Sequence, residues 1–345
     1  MLKPGVNYLI EHNERRSEIY VGTATAGIKL SSHAAILFIQ KSNGQSELNE
    51  IMGEIGISNT QALEILQPLI THNLIALLNR PTPIMESEDF ATQISAARIK
   101  PELNTIAWRS NEGAISELIR RANFTIHIQG SNRLAFALLE LFLSIGYLNC
   151  KIIGINKGEV APQLIGATPF RIGDIGLPLN NIQEKINRDF ALNFSALKAD
   201  KNLEIKGKKG VDLLIKTSDF LPDQITNLML DGVAHLQIGN LSAGKIEIGP
   251  LVIPGKSPCF NCIWLWRSER FYKLEIAQKM SSPLEISAAG VTYLSGLIVT
   301  LVDSYLAQER SFLIGSSLLI NLLKPLDYSE RFWQPNPKCG CLELL

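Results

Sequence analysis

The chain has 345 residues, 46% of them apolar, which is enough for two domains with large buried cores. Lysine plus arginine and aspartate plus glutamate each number 33, so no net charge attracts nucleic acid. The first residues lack the apolar run of a signal peptide, and the most hydrophobic stretch, residues 286–301, is short for a membrane span. We therefore expect a cytoplasmic protein that binds neither nucleic acid nor a membrane.

Residues 1–80 predict a small domain of strands followed by helices. Short apolar runs between polar turns indicate three strands, at residues 8–10, 19–21 and 28–30. Three helices follow, near residues 33–42, 47–55 and 59–74, the last with Pro68 inside it. Two or three strands followed by three helices is the order of a winged-helix-like domain.

The same residues, from Lys3-Pro4-Gly5-Val6 to the segment LNEIMGEIGISNTQALEILQPLITHNLIALL, resemble the peptide-recognition domain of bacterial peptide-modifying systems. In that family the leader of a precursor peptide adds as a strand to the sheet edge and packs on the third helix. The resemblance implies a leader-binding site made of Tyr20, Ile28, Lys29, Leu30, Leu63, Leu66 and Ile70. A DNA-binding winged helix is the alternative, but residues 59–78 contain neither lysine nor arginine.

The second domain begins after a stretch of mixed polarity. Residues 81–100 combine prolines with acidic residues and predict a linker, so the second domain is expected at 101–345. An apolar strand at 124–129, a turn at Gly130, a helix at 134–146 and a strand at 151–155 describe a nucleotide-binding βαβ unit.

The turn of this βαβ unit is a poor phosphate loop. A working loop has several glycines, so that backbone N–H groups approach phosphate, whereas here Gly130 is followed by Ser131, Asn132 and Arg133. Asn156 and Lys157 stand where a carboxylate usually binds the ribose. Two interpretations stay open: a weak nucleotide site, or a retained fold with a disused pocket.

Four of the five cysteines form two close pairs, Cys259-x-x-Cys262 and Cys339-x-Cys341. Four thiolates satisfy the tetrahedral preference of zinc and leave no open position, which is typical of a structural site. The alternatives are a redox Cys-x-x-Cys or a pair of disulfides, which suit a βαβ start or a small secreted chain. Cys150 is expected to be a buried, inert thiol.

The segments GPLVIPGKSPCFNCIWLWRSER and KCGC, together with strands at 212–219, 234–239 and 245–250, resemble the ThiF-like adenylating family, related to ubiquitin-activating enzymes. The best match within it is the leader-binding component of bacteriocin and thiazole/oxazole peptide biosynthesis. The resemblance covers nearly the whole chain. It implies an α/β protein with a winged-helix-like peptide-recognition domain, a ThiF-like Rossmann-type domain with structural zinc, and a homodimer.

Active members of that family carry a glycine-rich loop, a ribose-binding aspartate, an arginine, a lysine and an aspartate near magnesium. The matching positions here hold Gly130 as the loop glycine, Asn156, Gly166 and Leu179, and only Asp219 is retained. Such a site neutralises a triphosphate poorly.

The sequence therefore suggests two functions, and it identifies no catalytic residue for either of them. One is a scaffold that captures the leader of a ribosomally made peptide and presents its core to a YcaO-type cyclodehydratase. The other is an enzyme that uses ATP and magnesium to activate precursor carboxylates for cyclisation or crosslinking, of the pantocin type. A sulfur-carrier activator is a third reading, disfavoured by the front domain and the poor loop.

Overall fold

A computed structural model describes residues 1–13, 16–44, 46–77, 90–109, 114–155, 158–190, 192, 210–219, 222–239, 241–270, 285–307, 313–324 and 326–341. Contacts divide the chain into two units, Met1–Ile119 and Arg120–Leu345.

The first unit begins with an antiparallel sheet in the order β1-β2-β3, formed by β1 (Asn7–Asn13), β2 (Arg16–Gly22) and β3 (Gly27–Leu30). The helices that follow are α1 (His33–Lys41), α2 (Leu48–Ile55), α3 (Asn59–Thr71), α4 (Phe90–Arg109) and α5 (Ala114–Asn123), which contains the boundary between the units. The alternation of the central strand places Ile19 and Val21 in the core, against the buried face of α1.

Helix α3 begins with a capping box and ends sooner than its periodicity suggests. The Ser58 side chain accepts from the Gln61 backbone N–H, and the Gln61 side chain accepts from the Ser58 backbone N–H. Asn73, with φ of 58°, ends the helical path, and the Leu74 N–H donates to the Leu69 carbonyl at 2.8 Å. Leu74 therefore enters the core from the turn after the helix.

Helix α4 occupies the second part of the segment expected as a linker, while residues 81–89 lie outside the described part of the chain. Ile99 and Ile106 are buried. The Trp108 indole N–H donates to the Pro4 carbonyl at 3.1 Å, and the Asn73 amide donates to the Trp108 carbonyl at 2.9 Å. These contacts place the helix in the first unit, so the division falls after residue 119 and not at residue 100.

The second unit is built on a seven-stranded mixed sheet in the order β5-β4-β6-β7-β8-β9-β10. The parallel strands are β4 (Thr125–Gln129), β5 (Asn149–Ile153), β6 (Leu213–Lys216) and β7 (Ala234–Ile238), and the antiparallel ones are β8 (Lys245–Val252), β9 (Ser316–Asn321) and β10 (Tyr328–Phe332). The helices are α6 (Arg133–Ser144), α7 (Leu179–Phe190), α8 (Pro222–Leu230), α9 (Phe260–Arg270) and α10 (Ala288–Leu306). This is the α/β arrangement that the βαβ pattern predicts.

Helix α10 is the one described helix that is long and apolar enough to cross a membrane, by length and composition alone. It packs on α6, and its acidic residue Asp303 is buried. The Arg121 guanidinium donates to Asp303 at 2.7 Å, and the Tyr147 hydroxyl donates to its other oxygen at 2.6 Å. A buried, paired carboxylate and contact with a second apolar helix are the features of a core helix.

Candidate functional site

The two cysteine pairs meet at the N-terminus of α9. Cys259 precedes the helix, Cys262 lies in its first turn, and Cys339 and Cys341 come from a turn near the C-terminus. The four Sγ atoms lie within 4.8 Å of one another. The Cys259–Cys262 separation is 3.9 Å, and the Cys259–Cys339 and Cys262–Cys341 separations are both 3.4 Å.

These separations fit four ligands around one ion. Zinc–sulfur bonds of about 2.3 Å give tetrahedral sulfur–sulfur edges of about 3.8 Å, whereas a disulfide needs about 2.05 Å. The contact between the two thiols lowers the pKa of Cys262 and raises the pKa of Cys259, so Cys262 ionises first. The donor set, sulfur only and largely buried, suits a structural zinc ion.

Cys150 lies apart from this cluster, in the core of the second unit. Burial raises the pKa of its thiol, so the side chain stays protonated and unreactive.

The second feature is a cavity of about 310 Å³ at the carboxyl ends of β4, β6 and β7. Strand β4 is flanked by β5 on one side and by β6 on the other, so the chain reverses its direction of winding there. Such switch points are where open α/β sheets bind ligands. The cavity wall comes from the segments after these strands and from residues just before α10.

Gly130 is required by the approach of two strands. A Cβ at this position would lie 2.0 Å from Thr217 Oγ1. The Thr217 N–H donates to the Gln129 carbonyl at 3.0 Å, which holds the segment after β6 against the end of β4. Sheet packing alone therefore explains this glycine, with no need for a phosphate.

The polar side chains of the loop bind protein atoms. Asn132 caps α6: its Oδ1 accepts from the Ala135 N–H at 3.0 Å and its Nδ2 donates to the Thr217 carbonyl at 3.0 Å. The Arg133 guanidinium donates to the Gln163 carbonyl through Nε, and to the Ile286 carbonyl at 3.4 Å through Nη1. Arg133 thus joins two segments beside the cavity.

The described cavity wall carries one positive and one negative side chain, Arg133 and Glu285. Asp219 follows the wall residue Ser218 and accepts from Gln237 Nε2 at 2.9 Å. Desolvation raises the pKa of Asp219, and nearby Glu247 adds to the effect. Asn156 and Lys157 lie outside the described residues.

Several solved structures are similar to this chain over nearly its full length. E. coli MccB with AMPCPP and MccA has 13% identity, coverage of 99% of this chain and 98% of that chain, and a TM-score of 0.62. The microcin C7 biosynthetic enzyme MccB with N-formylated MccA has 13% identity, 99% coverage of both chains and a TM-score of 0.60. PaaA has 11% identity, coverage of 95% of this chain and 99% of that chain, and a TM-score of 0.60.

The chain has the fold of MccB. At these identities the likeness is one of fold. No protein-family profile matches the sequence, and no curated protein sequence is detectably similar to it.

Within this MccB-like fold, the residues expected to bind a leader lie around β3 and α3. Strand β3 pairs only with β2 in the described sheet, so it forms an edge. Ile28 and Leu30 on β3 are half-buried, and the exposed Lys29 between them bonds Glu18 at 2.5 Å and lies 5.4 Å from the Tyr20 ring centroid.

Helix α3 lies next to this edge and presents an uneven apolar surface. Leu63 is 61% exposed, Ile70 is half-buried, and Leu66 is only 6% exposed. Leu63 and Ile70 are therefore accessible to a ligand, whereas Leu66 belongs to the core.

The structure adds residues that sequence reasoning did not single out. Thr217 and Glu285 line the cavity, and the Gln163 and Ile286 carbonyls hold Arg133. Thr217 stands at the carboxyl end of an apolar strand, which is where doubly wound sheets bind ligands. Its place beside the cavity could therefore have been predicted from the sequence. The carbonyl partners come from distant segments and have no sequence signal.

Proposed function

We propose that the protein takes part in the maturation of a ribosomally made peptide: it binds the leader of the precursor and presents the core to a YcaO-type cyclodehydratase for heterocyclisation. The observation that carries this proposal is the MccB-like fold of the whole chain, because MccB is a biosynthetic enzyme solved in complex with MccA. The likeness covers the strand-and-helix unit as well as the α/β unit, since 99% of this chain is matched.

The leader would add to the first unit as a fourth strand. The edge of β3 offers main-chain donors and acceptors, and the neighbouring Leu63 and Ile70 offer apolar contacts. Main-chain hydrogen bonds would supply affinity for any extended peptide, and the apolar surface would select among them. Leu66 would act indirectly, by fixing the position of α3 against the core.

The four-cysteine cluster would hold one structural zinc ion. Its sulfur separations of 3.4 to 3.9 Å are close to the edges of a zinc–thiolate tetrahedron. Zinc there would tie the start of α9 to the C-terminal segment, and its binding would contribute folding free energy.

The cavity fits a nucleoside triphosphate poorly. Its described wall balances one arginine with one glutamate, and the arginine already donates to two main-chain carbonyls. A triphosphate binds where cationic side chains or metal ions offset its charge. This balance favours a binding and presenting role over an adenylating one.

We further propose that the protein acts as a homodimer in the cytoplasm.

A second candidate function is that of an ATP- and magnesium-dependent enzyme that activates precursor carboxylates. The observation in its favour is that the cavity persists at the switch point of the sheet, with Asp219 beside it. MccB, of the same fold, was solved with AMPCPP.

One experiment separates the two functions. The full chain is incubated with the precursor peptide encoded nearest its gene, with and without ATP and magnesium. Leader binding is followed by fluorescence anisotropy, and the precursor mass by mass spectrometry. ATP-independent binding with an unchanged mass supports the scaffold. ATP-dependent mass loss with this protein alone supports the enzyme, and absence of binding contradicts both.

A further inference from the structure

One part of the cavity wall is held by the main chain of Glu247. Gly239 and Leu241 belong to this part of the wall. The Gly239 N–H donates to the Glu247 carbonyl at 2.8 Å. A Cβ on Gly239 would lie 3.7 Å from Asp219 Oδ1 and 3.9 Å from the Glu247 Cβ. The position of this wall therefore depends on the position of Glu247 on β8.

The Glu247 carboxylate belongs to a closed ring of four side chains. Arg267 on α9 donates to its Oε2 at 2.5 Å, and Ser317 on β9 donates to its Oε1 at 2.5 Å. The Ser317 hydroxyl accepts from the Trp333 indole N–H at 2.9 Å. The Arg267 guanidinium lies 5.0 Å from the Trp333 ring centroid and completes the ring. The ring joins α9, β8, β9 and the segment after β10.

The ion pair in this ring is largely removed from water. The Arg267 and Glu247 side chains are 26% and 17% exposed. Such a pair adds little stability over apolar side chains of similar volume, because desolvation offsets much of the attraction, but its hydrogen bond requires one arrangement of α9 against β8. The charge also reaches the residue beside the cavity. Burial raises the pKa of Asp219, and the Arg267 guanidinium opposes that rise.

Helix α9 carries the cysteine cluster as well as Arg267. Cys262 in its first turn and Arg267 are five positions apart, which is about 7.5 Å along a helix axis. The Trp266 indole N–H donates to the Gln334 carbonyl at 2.9 Å, next to the contact between Arg267 and Trp333. The C-terminal segment thus meets α9 at the cysteine cluster and again at the ring.

We propose that metal binding at the cysteine cluster controls the wall of the cavity, with Arg267 as the positioning residue between the two sites. With the metal bound, the cysteine pairs hold the start of α9 to the C-terminal segment. Because a helix is stiff, this fixes its later turns, where Arg267 holds Glu247 and Glu247 holds Gly239. The inference rests on the zinc site proposed above.

A coupling of this kind is reciprocal. The zinc-loaded protein has the ordered wall, and loss of the metal loosens it. A molecule that binds the cavity and orders the wall therefore raises the affinity for zinc by the same factor by which zinc raises the affinity for that molecule.

The test is hydrogen exchange of the full chain, followed by mass spectrometry, in the zinc-loaded form and after a chelator. In wild-type protein, metal removal speeds exchange of the peptide that contains Gly239 by about tenfold, because its amide is protected by the Glu247 carbonyl less of the time. Exchange in the core strands β4 and β6 stays unchanged, which separates a local effect from global unfolding. Metal analysis of the same samples gives the zinc content.

The double variant Arg267→Met with Glu247→Gln cuts the connection and leaves no unpaired charge at the ring. It retains zinc, and metal removal speeds exchange in α9 and the C-terminal segment but no longer at Gly239. The matched control is Lys338→Met, which removes the 3.0 Å ion pair with Glu269 on the same helix. This control responds to metal removal as wild type does.

Three results overturn the inference: Gly239 exchange in wild type that is insensitive to metal removal, a double variant that responds as fully as wild type, or equal acceleration in β4 and β6. A protein that contains no zinc after expression in zinc-supplemented medium refutes the zinc site itself, and the inference with it.

Discussion

Removal of one cysteine of the metal cluster is the most decisive test of the proposed zinc site. In Cys341→Ser a hydroxyl that does not ionise replaces the Sγ atom that lies 3.4 Å from Cys262 Sγ. Three thiolates then remain, and zinc loses its closed tetrahedral shell. We expect the ion to be lost and the C-terminal segment to detach from α9.

The size of the effect follows from the loop that the ion closes. Cys259 and Cys339 are 80 positions apart, and Cys262 and Cys341 are 79. A crosslink over about 80 residues restricts the unfolded chain by an amount equivalent to about 4–5 kcal/mol in the chain-entropy model. For a unit of this size, complete loss of the crosslink lowers Tm by roughly 10–15 °C.

The assay combines scanning calorimetry with metal analysis of the same samples. Wild-type protein should carry about one zinc ion per chain, and a chelator should lower its Tm to that of Cys341→Ser. Cys150→Ala is the matched control, because this thiol is buried away from the cluster and its removal should leave the zinc content unchanged. Metal-free protein that melts at the wild-type temperature would refute the reasoning.

The remaining predictions concern the leader edge, a buried ion pair and the cavity. Ile28→Glu should weaken leader binding in an anisotropy titration, because the bound peptide would remove water from the new charge at the β3 edge. The control is Leu9→Glu, an exposed position on the opposite edge strand β1. An equal loss of leader affinity in the two variants would contradict the assignment of β3 as the binding edge. Asp303→Asn removes the carboxylate that pairs with the buried Arg121 and should lower the free energy of unfolding in urea by about 3–5 kcal/mol. Tyr147→Phe removes one hydrogen bond to the same carboxylate and should lower it by about 1.5–3 kcal/mol. Asp219→Ala should leave leader binding unchanged. If the protein is a scaffold, the variant should also support normal product formation by the YcaO-type partner. Loss of product would favour the ATP-dependent enzyme.

Local spacing by itself determined most of the secondary structure. Strand alternation and helix caps placed β1 to β3 and α1 to α3, because these signals act over a few residues. The same kind of signal predicted the strands that became β4 to β8, whereas β9 and β10 were not among the predicted strands. Mixed polarity around residues 90–100 concealed α4, since its apolar residues gain their meaning only from contact with the first unit.

Cysteine spacing indicated which thiols could share an ion, but only the tertiary structure brought the two pairs within 4.8 Å. The role of Gly130 also became clear only from the tertiary structure, in which the Thr217 side chain occupies the space that a Cβ at position 130 would need. The sequence placed Arg133 in the loop after Gly130, but only the structure shows that the Gln163 and Ile286 carbonyls hold its guanidinium. Helical periodicity placed Leu63 and Leu66 near one another, yet which of them faces the core depends on how the helix packs. Contacts between residues far apart in sequence decide such questions, and no local pattern records them.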